Sequence, residues 1–298
     1  MKISVVFGIH LTRIPPGSVM RILRLLCALL FSSLLLMHNA VANSVGDFAL
    51  LDQNGTFHQA SYYSDHDAIV ILAESSETLA GERARTAVSN IESVEQSGKI
   101  KAFVISPNSG VERDALQAAV SALSTNLPVL IDETQLVSQS LDLSRYGEVV
   151  VINPKSLSVI YRGSTADLKG ITDFSALSTS AASNTEPLGD SIEFRSSKAV
   201  SYVNDVAPIL ERNCVTCHRD GGIGPWSMSS HAMVQGWSPM MREVVMTQRM
   251  PPGRIDTHVG KKISNANGLT VAEQQTLIDW IDQGANLIGD QDPLTQFT

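Results

Sequence analysis

Between residues 46 and 175, short apolar runs alternate with longer stretches in which apolar side chains return every three or four positions. Ala68 to Ala73, Ile100 to Ile105, Leu127 to Ile131, Glu148 to Ile152 and Leu157 to Arg162 are the runs, and they predict strands. Asp52-Gln53-Asn54-Gly55 is a tight-turn signal that joins Phe48–Leu51 to the segment beginning at Thr56. Ala80, Ala84, Ala87, Ile91 and Val94 fall on one helical face, as do Val111, Ala115, Leu116, Ala119, Val120 and Leu123. Strands and helices in alternation predict an α/β layer with helices on both faces of a sheet. Residues 176–197 are rich in Ser, Ala and Thr and lack apolar periodicity, which predicts a mobile linker.

Beyond the linker, residues 198–298 carry helical patterns only. Tyr202, Val206, Ile209 and Leu210 share one face of a helix that Pro208 is placed to kink. Met240, Met241, Val244 and Val245 have the spacing of a helix face turned to a core. Thr270-Val271-Ala272-Glu273 is a capping-box pattern. The helix it opens carries Leu277, Ile278, Trp280 and Ile281 and ends near Gly284. A second, all-α domain is expected here.

The first 42 residues have a different character. Arg21 and Arg24 precede an apolar stretch from Leu25 to Met37, and Ala40-Val41-Ala42 supplies small residues at cleavage positions. The stretch is short for a span of about 20 residues. A cleaved export signal, a mature start at Asn43 and a periplasmic or otherwise exported protein are therefore expected, with no stable membrane span after cleavage. Met1 to Val19 lengthens the basic region, and Met20 is an alternative start.

The 298 residues carry a formal charge of −8, unevenly spread. Residues 43–197 hold 20 acidic and 10 basic side chains, whereas 198–298 hold 10 and 8. The acidic half argues against nucleic acid or anionic lipid as a partner.

The chain has three cysteines, and Cys27 lies in the presumed signal. The other two stand in Cys214-Val215-Thr216-Cys217-His218, a C-x-x-C-H run of the kind that attaches c-type haem. Its spacing lets two thiols bond one porphyrin while His218 is carried under the iron as proximal ligand. A dithiol redox motif would follow a strand of a βαβ unit, which is not found here. A structural zinc would need two further ligands, and only His231 and His258 lie downstream. A Cys214–Cys217 disulfide would close too small a loop to constrain much.

The distal ligand is the next question. Met250-Pro251-Pro252 is the leading candidate, because proline disfavours helix at the residue before it and the two prolines restrict the exit. Methionine opposite histidine raises the haem potential and suits electron transfer. Met246 is the next thioether, and His231 or His258 would give bis-histidine ligation. Arg249 is a candidate partner for a haem propionate, or else a solvated cation at a helix end. Trp226, Trp237 and Trp280 supply apolar surface suited to enclosing a porphyrin or to ordinary packing.

Two resemblances accompany these readings. Val45-Gly46-Asp47-Phe48, Pro128-Val129-Leu130-Ile131-Asp132, Val149-Val150-Val151-Ile152-Asn153-Pro154 and Ile160-Tyr161-Arg162-Gly163 make residues 46–175 resemble the redoxin branch of the thioredoxin fold. In that family the reactive cysteine opens the helix after the strand equivalent to Ala68–Ala73. Here that place reads Glu74-Ser75-Ser76-Glu77-Thr78, and Gly147-Glu148 stands where thioredoxins carry a proline. Thiol–disulfide exchange and peroxide reduction need a thiolate. Ser75 or Ser76 is accordingly expected to be only a helix N-cap. Residues 198–298 resemble a small class I-type cytochrome c domain, whose first and last helices cross. Haem-linked redoxin proteins commonly carry an Arg-Met-Pro-Pro stretch, matched by Arg249 to Pro252, although Gly253 replaces the aromatic residue often found next.

Together these features imply an exported monohaem cytochrome that relays single electrons to or from another redox protein or enzyme. The redoxin-like domain would be catalytically silent, in a docking or scaffolding role. The alternatives are a haem peroxidase or a haem-based redox or gas sensor, either of which needs an open or labile distal position.

Overall fold

The computed structural model of the chain describes residues 44–108, 110, 113–168, 174, 189–253, 268–289 and 291–297. The expected signal of residues 1–42 and the linker through residue 188 lie outside the described residues, as does His258. No helix among the described residues is long and apolar enough to cross a membrane.

The first lobe opens with an antiparallel pair, β1 (Ala49–Leu51) and β2 (Phe57–Gln59). Asp52 shapes the turn between them: its Oδ1 accepts from the backbone N–H groups of Asn54 and Thr56, both at 2.8 Å. A five-stranded sheet follows, formed by β3 (Ala68–Ala73), β4 (Ile100–Ser106), β5 (Val129–Ile131), β6 (Glu148–Asn153) and β7 (Ser158–Ser164). Its spatial order is β5-β4-β3-β6-β7. The first three strands are parallel, with Ile71 opposite Phe103, while β6 and β7 run antiparallel. This mixed sheet and its connections make the lobe thioredoxin-like. Every residue of β3 is buried, as befits the central strand of a sheet covered on both faces.

The helices of this lobe are α1 (Ser76–Leu79), α2 (Glu82–Glu95), α3 (Arg113–Leu123) and α4 (Leu136–Ser140). The crossovers from β3 to β4 and from β4 to β5 step the same way across the sheet, so right-handed connections put α2 and α3 on one face. Ala87, Val88, Ile91, Leu116 and Val120 there join Val70, Leu72 and Val104 in one apolar cluster. The short α4 lies against the other face, so helices stand on both faces as expected. The opposite face, with Ile69, Ile71 and Ile105, joins residues of the β1–β2 pair, of α4 and of the C-terminal lobe in a second cluster.

In that lobe every regular element among the described residues is helical. The first, α5, is residues 202–215: a π-helical turn Tyr202–Val206, an α-helical turn Ala207–Leu210 and a second π turn Glu211–Val215. Pro208 explains the mixture. It has no N–H to give residue 204, and its ring crowds that carbonyl, so the backbone widens around it. Next come α6 (His231–Met246), capped by Ser230, and α7 (Val271–Asp282), capped by the expected Thr270–Glu273 box. The first and last helices meet where the Tyr202 and Trp280 rings approach to 5.5 Å, and Arg212 bonds Glu273 at 2.7 Å.

The two lobes do not have separate cores. Tyr202, Leu277 and Trp280 belong to the same buried cluster as Ile71, Val150 and Val137. Residues 189–197, read as the end of a mobile linker, are a docked strap. Ile192 N–H donates to the Ser144 carbonyl at 2.9 Å, and Tyr146 N–H to that of Asp190 at 3.0 Å. Gln135 accepts from Arg195 N–H and donates to the Glu193 carbonyl, while the Arg195 guanidinium grips both oxygens of Asp279 at 2.7 Å. Backbone pairing with one lobe and a forked ion pair to the other make the segment a clamp despite its polar composition.

Candidate functional site

Two places have the position of a site. The first is the loop after β3. Ser75 caps α1: its Oγ accepts from Thr78 N–H at 3.2 Å, while Thr78 Oγ1 accepts from Ser75 N–H at 2.7 Å. Glu74 is fully buried. Arg83 donates to its Oε2 at 3.1 Å and sets a second nitrogen 2.9 Å from Oε1, off the line of a hydrogen bond. Burial raises the Glu74 pKa above its ordinary value of 4.5, and the Thr78 and Arg83 contacts offset that only in part. With no sulfur in this lobe, the arrangement orders a loop and presents no thiolate.

The second place is the end of α5. Cys214 lies in its last π turn, and the chain then folds back, with Cys217 N–H and His218 N–H both donating to the Cys214 carbonyl at 3.1 and 2.9 Å. A loop returns over this turn. Gly224 N–H donates to the Cys217 carbonyl at 2.8 Å and Met228 N–H to that of His218 at 2.8 Å. The close approach requires glycine. A Cβ on Gly224 would stand 2.7 Å from His218 Nδ1, and one on Gly222 would stand 2.3 Å from the Cys217 oxygen.

His218 Nδ1 lies 3.1 Å from the Trp226 carbonyl oxygen. A carbonyl only accepts, so Nδ1 carries the proton and Nε2 keeps its lone pair for a ligand. Cys214, Cys217 and His218 all line an apolar cleft of about 1030 Å³, counting its open mouth. Leu210, Trp226, Val244, Leu269 and Leu277 wall it. Burial, reinforced by Cys217 and Glu273, pushes the Cys214 thiol up to about 12. That thiol is protonated and weakly nucleophilic at neutral pH, which disfavours dithiol exchange. Among the described residues no group of three or more His, Cys, Asp and Glu side chains is arranged to hold a metal ion.

Met250, Pro251 and Pro252 also line the cleft. α6 stops at Met246 and Gln248 turns left-handed (φ 58°), after which the Arg249 and Met250 N–H groups bond back to the Val244 carbonyl at 2.9 and 3.2 Å. Gln248 meanwhile donates to the Ala49 carbonyl at 2.9 Å, so β1 of the other lobe pins this loop.

Other candidates lie elsewhere. Met246 is buried at the seam between lobes, beside Ala49, Leu50 and Val137, and does not line the cleft. His231 is a core residue. Its Nε2 bonds the Ala285 carbonyl at 2.8 Å, and its ring sits edge-on to Tyr202 and Trp280. Arg249 pairs with Glu243 and bonds Thr247 Oγ1, outside the lining. Trp280, 1% exposed, packs in the core and donates to the Asn286 carbonyl, so only Trp226 of the three tryptophans faces the cleft.

Several features escaped the sequence. Met240, assigned by spacing to the core, lines the cleft and is 51% exposed. The Trp226 carbonyl is a backbone group with no sequence signal. The glycines at 222 and 224, so soon after His218, were a usable hint of a tight return.

No protein-family model matches the chain, and no curated protein does. Among solved structures, a hypothetical protein of Sinorhizobium meliloti 1021 is similar at 17% identity and a TM-score of 0.43, covering 51% of this chain and 93% of that one. A thiol-disulfide oxidoreductase from Bacteroides fragilis aligns at 14% identity and a TM-score of 0.35, over 40% of this chain and 88% of its own. The pneumococcal exposed lipoprotein thioredoxin of Streptococcus pneumoniae aligns at 17% and 0.34, over 39% and 87%.

Proposed function

We propose that this chain is an exported monohaem c-type cytochrome that transfers single electrons, with a thiol-free thioredoxin-like lobe as scaffold. The observation that carries the reading is the His218 imidazole, anchored through Nδ1 to the Trp226 carbonyl, in one apolar cleft with two thiols. A ligating histidine fixed through its other nitrogen is the usual support for a metal. Haem c held there would supply a reversible one-electron couple.

The chain's own residues do the rest. Cys214 and Cys217 would hold the haem through two thioethers. His218 offers Nε2, and Met250 offers its thioether from the loop pinned by Gln248. The apolar walls exclude water and so favour a raised potential. A redox protein or enzyme is the natural partner.

The peroxidase reading needs a base beside the iron; His231 is committed to the core, and the other candidate, His258, lies outside the described residues. Met250, 41% exposed, keeps a labile distal bond in view, and its replacement tests that. The matured protein is precipitated in acid and extracted with organic solvent, and its reduced spectrum is compared with that of Met250→Ala. The reading expects colour that stays with the polypeptide, and a six-coordinate low-spin spectrum whose sulfur-to-iron charge-transfer band disappears in the variant. Colour that leaves with the solvent overturns the covalent assignment. An unchanged Met250→Ala spectrum transfers the ligand role to another side chain.

A further inference from the structure

The cleft is linked to the surface by a stack of rings. Trp226 lines the cleft, and its indole lies 5.2 Å, centroid to centroid, from the His218 imidazole at 55°. The Trp226 indole also stacks on Trp237 of α6, with centroids 5.4 Å apart and planes within 15° of parallel. Trp237 does not line the cleft, and it is 37% exposed. Three aromatic rings thus run in contact from the proposed proximal ligand to solvent.

We propose that Trp226 and Trp237 form the electron port of this protein, coupling the haem to a one-electron redox partner that touches Trp237. The proposal rests on the haem reading above. Tunnelling falls off less steeply through contacting π systems than across gaps between saturated side chains, so the stack is the better-coupled route from that face of α6. One electron passes from the reduced partner, which is oxidised, to ferric iron, which becomes ferrous. No bond forms or breaks, no proton moves, and neither indole is itself oxidised or reduced.

Core packing accounts for Trp280 but less well for Trp237. Burial accounts for part of the Trp237 indole, and the remaining 37% stays in solvent while the ring stacks on Trp226. The competing route is the cleft mouth, where Ile223 is 91% exposed.

The test uses the haem-loaded full chain with a photoactive ruthenium complex bound to an engineered surface histidine. One label sits at Met233→His, a turn before Trp237, and the other at Ile223→His. Trp237→Leu keeps apolar bulk and removes the ring. From the Met233 position it should slow laser-initiated haem reduction, because the ring contact with Trp226 is lost. From Ile223 the rate should not change. Before haem attachment, the exciton-coupled circular dichroism of the stacked indoles should vanish in Trp237→Leu. Equal rates from Met233 with and without the Trp237 ring overturn the port, as does an absent exciton signal in the parent chain. A chain that never acquires covalent haem fails earlier, at the extraction step, and so overturns the functional reading instead.

Discussion

The loop after β3 and the turn after α5 both present residues where a redox protein would place its chemistry, and they are built in opposite ways. Around Glu74, side chains are spent on one another: Ser75 with Thr78, Glu74 with Arg83, and Tyr146 with Asn108 at 2.8 Å. Among the described residues the His218 side chain makes one polar bond, to the Trp226 carbonyl, and the walls beside it are largely apolar. The first arrangement turns inward, although the buried Glu74 Oε1 has the Arg83 charge beside it and no hydrogen bond. The second fixes one imidazole nitrogen and leaves an open apolar cleft beside the other. A site is recognised less by which residues stand in it than by which valences its neighbours have not consumed.

The widest separation between the two regions should come from His218→Ala. It should abolish the low-spin spectrum of the matured protein, whereas Ser75→Ala should leave that spectrum intact. Trp280→Ala comes next. Removing a fully buried indole should cost about 3–5 kcal/mol. Because the core is shared, denaturant unfolding followed in either lobe should give one midpoint, and two separated transitions would refute the common core. Arg195→Ala removes the forked bond to Asp279 and should cost about 1.5–3 kcal/mol. The loss should appear as easier separation of the lobes, measured by hydrogen exchange at residues 189–197.

Smallest is Glu74→Gln, and it depends on pH. The folded carboxyl binds its proton more tightly than the unfolded one. Its contribution to stability is therefore present below 4.5 and lost as pH rises through the raised folded value. Denaturation midpoints should move in the variant's favour relative to the parent as pH increases across that window. A difference that does not vary with pH would mean Glu74 is charged throughout.

Much of this was legible wherever a signal is local. The apolar run Ala68–Ala73 became the central strand residue for residue, the Thr270–Glu273 box capped α7, and Ser75 capped α1. The C-x-x-C-H spacing is equally local. What escaped depends on partners far apart in the chain. Arg195 finds Asp279 across 84 positions and Gln248 finds Ala49 across 199, and neither pairing leaves a periodic trace. Met246 and Met250 are one helical turn apart in sequence, yet the left-handed turn at Gln248 sends one to the seam and the other to the cleft. The strap was missed because polar composition was equated with mobility, although such residues can equally supply the donors and acceptors of a docked chain.

The strap and the common core carry a consequence for anyone wishing to work with half of this molecule. Severing the polypeptide near residue 198 would strip Leu136, Val137 and Leu50 of their cover on one fragment and Val245 and Met246 on the other. Each piece would carry a sticky wound where a neighbour had been. The halves look like exchangeable parts on paper, and as matter they are a single casting.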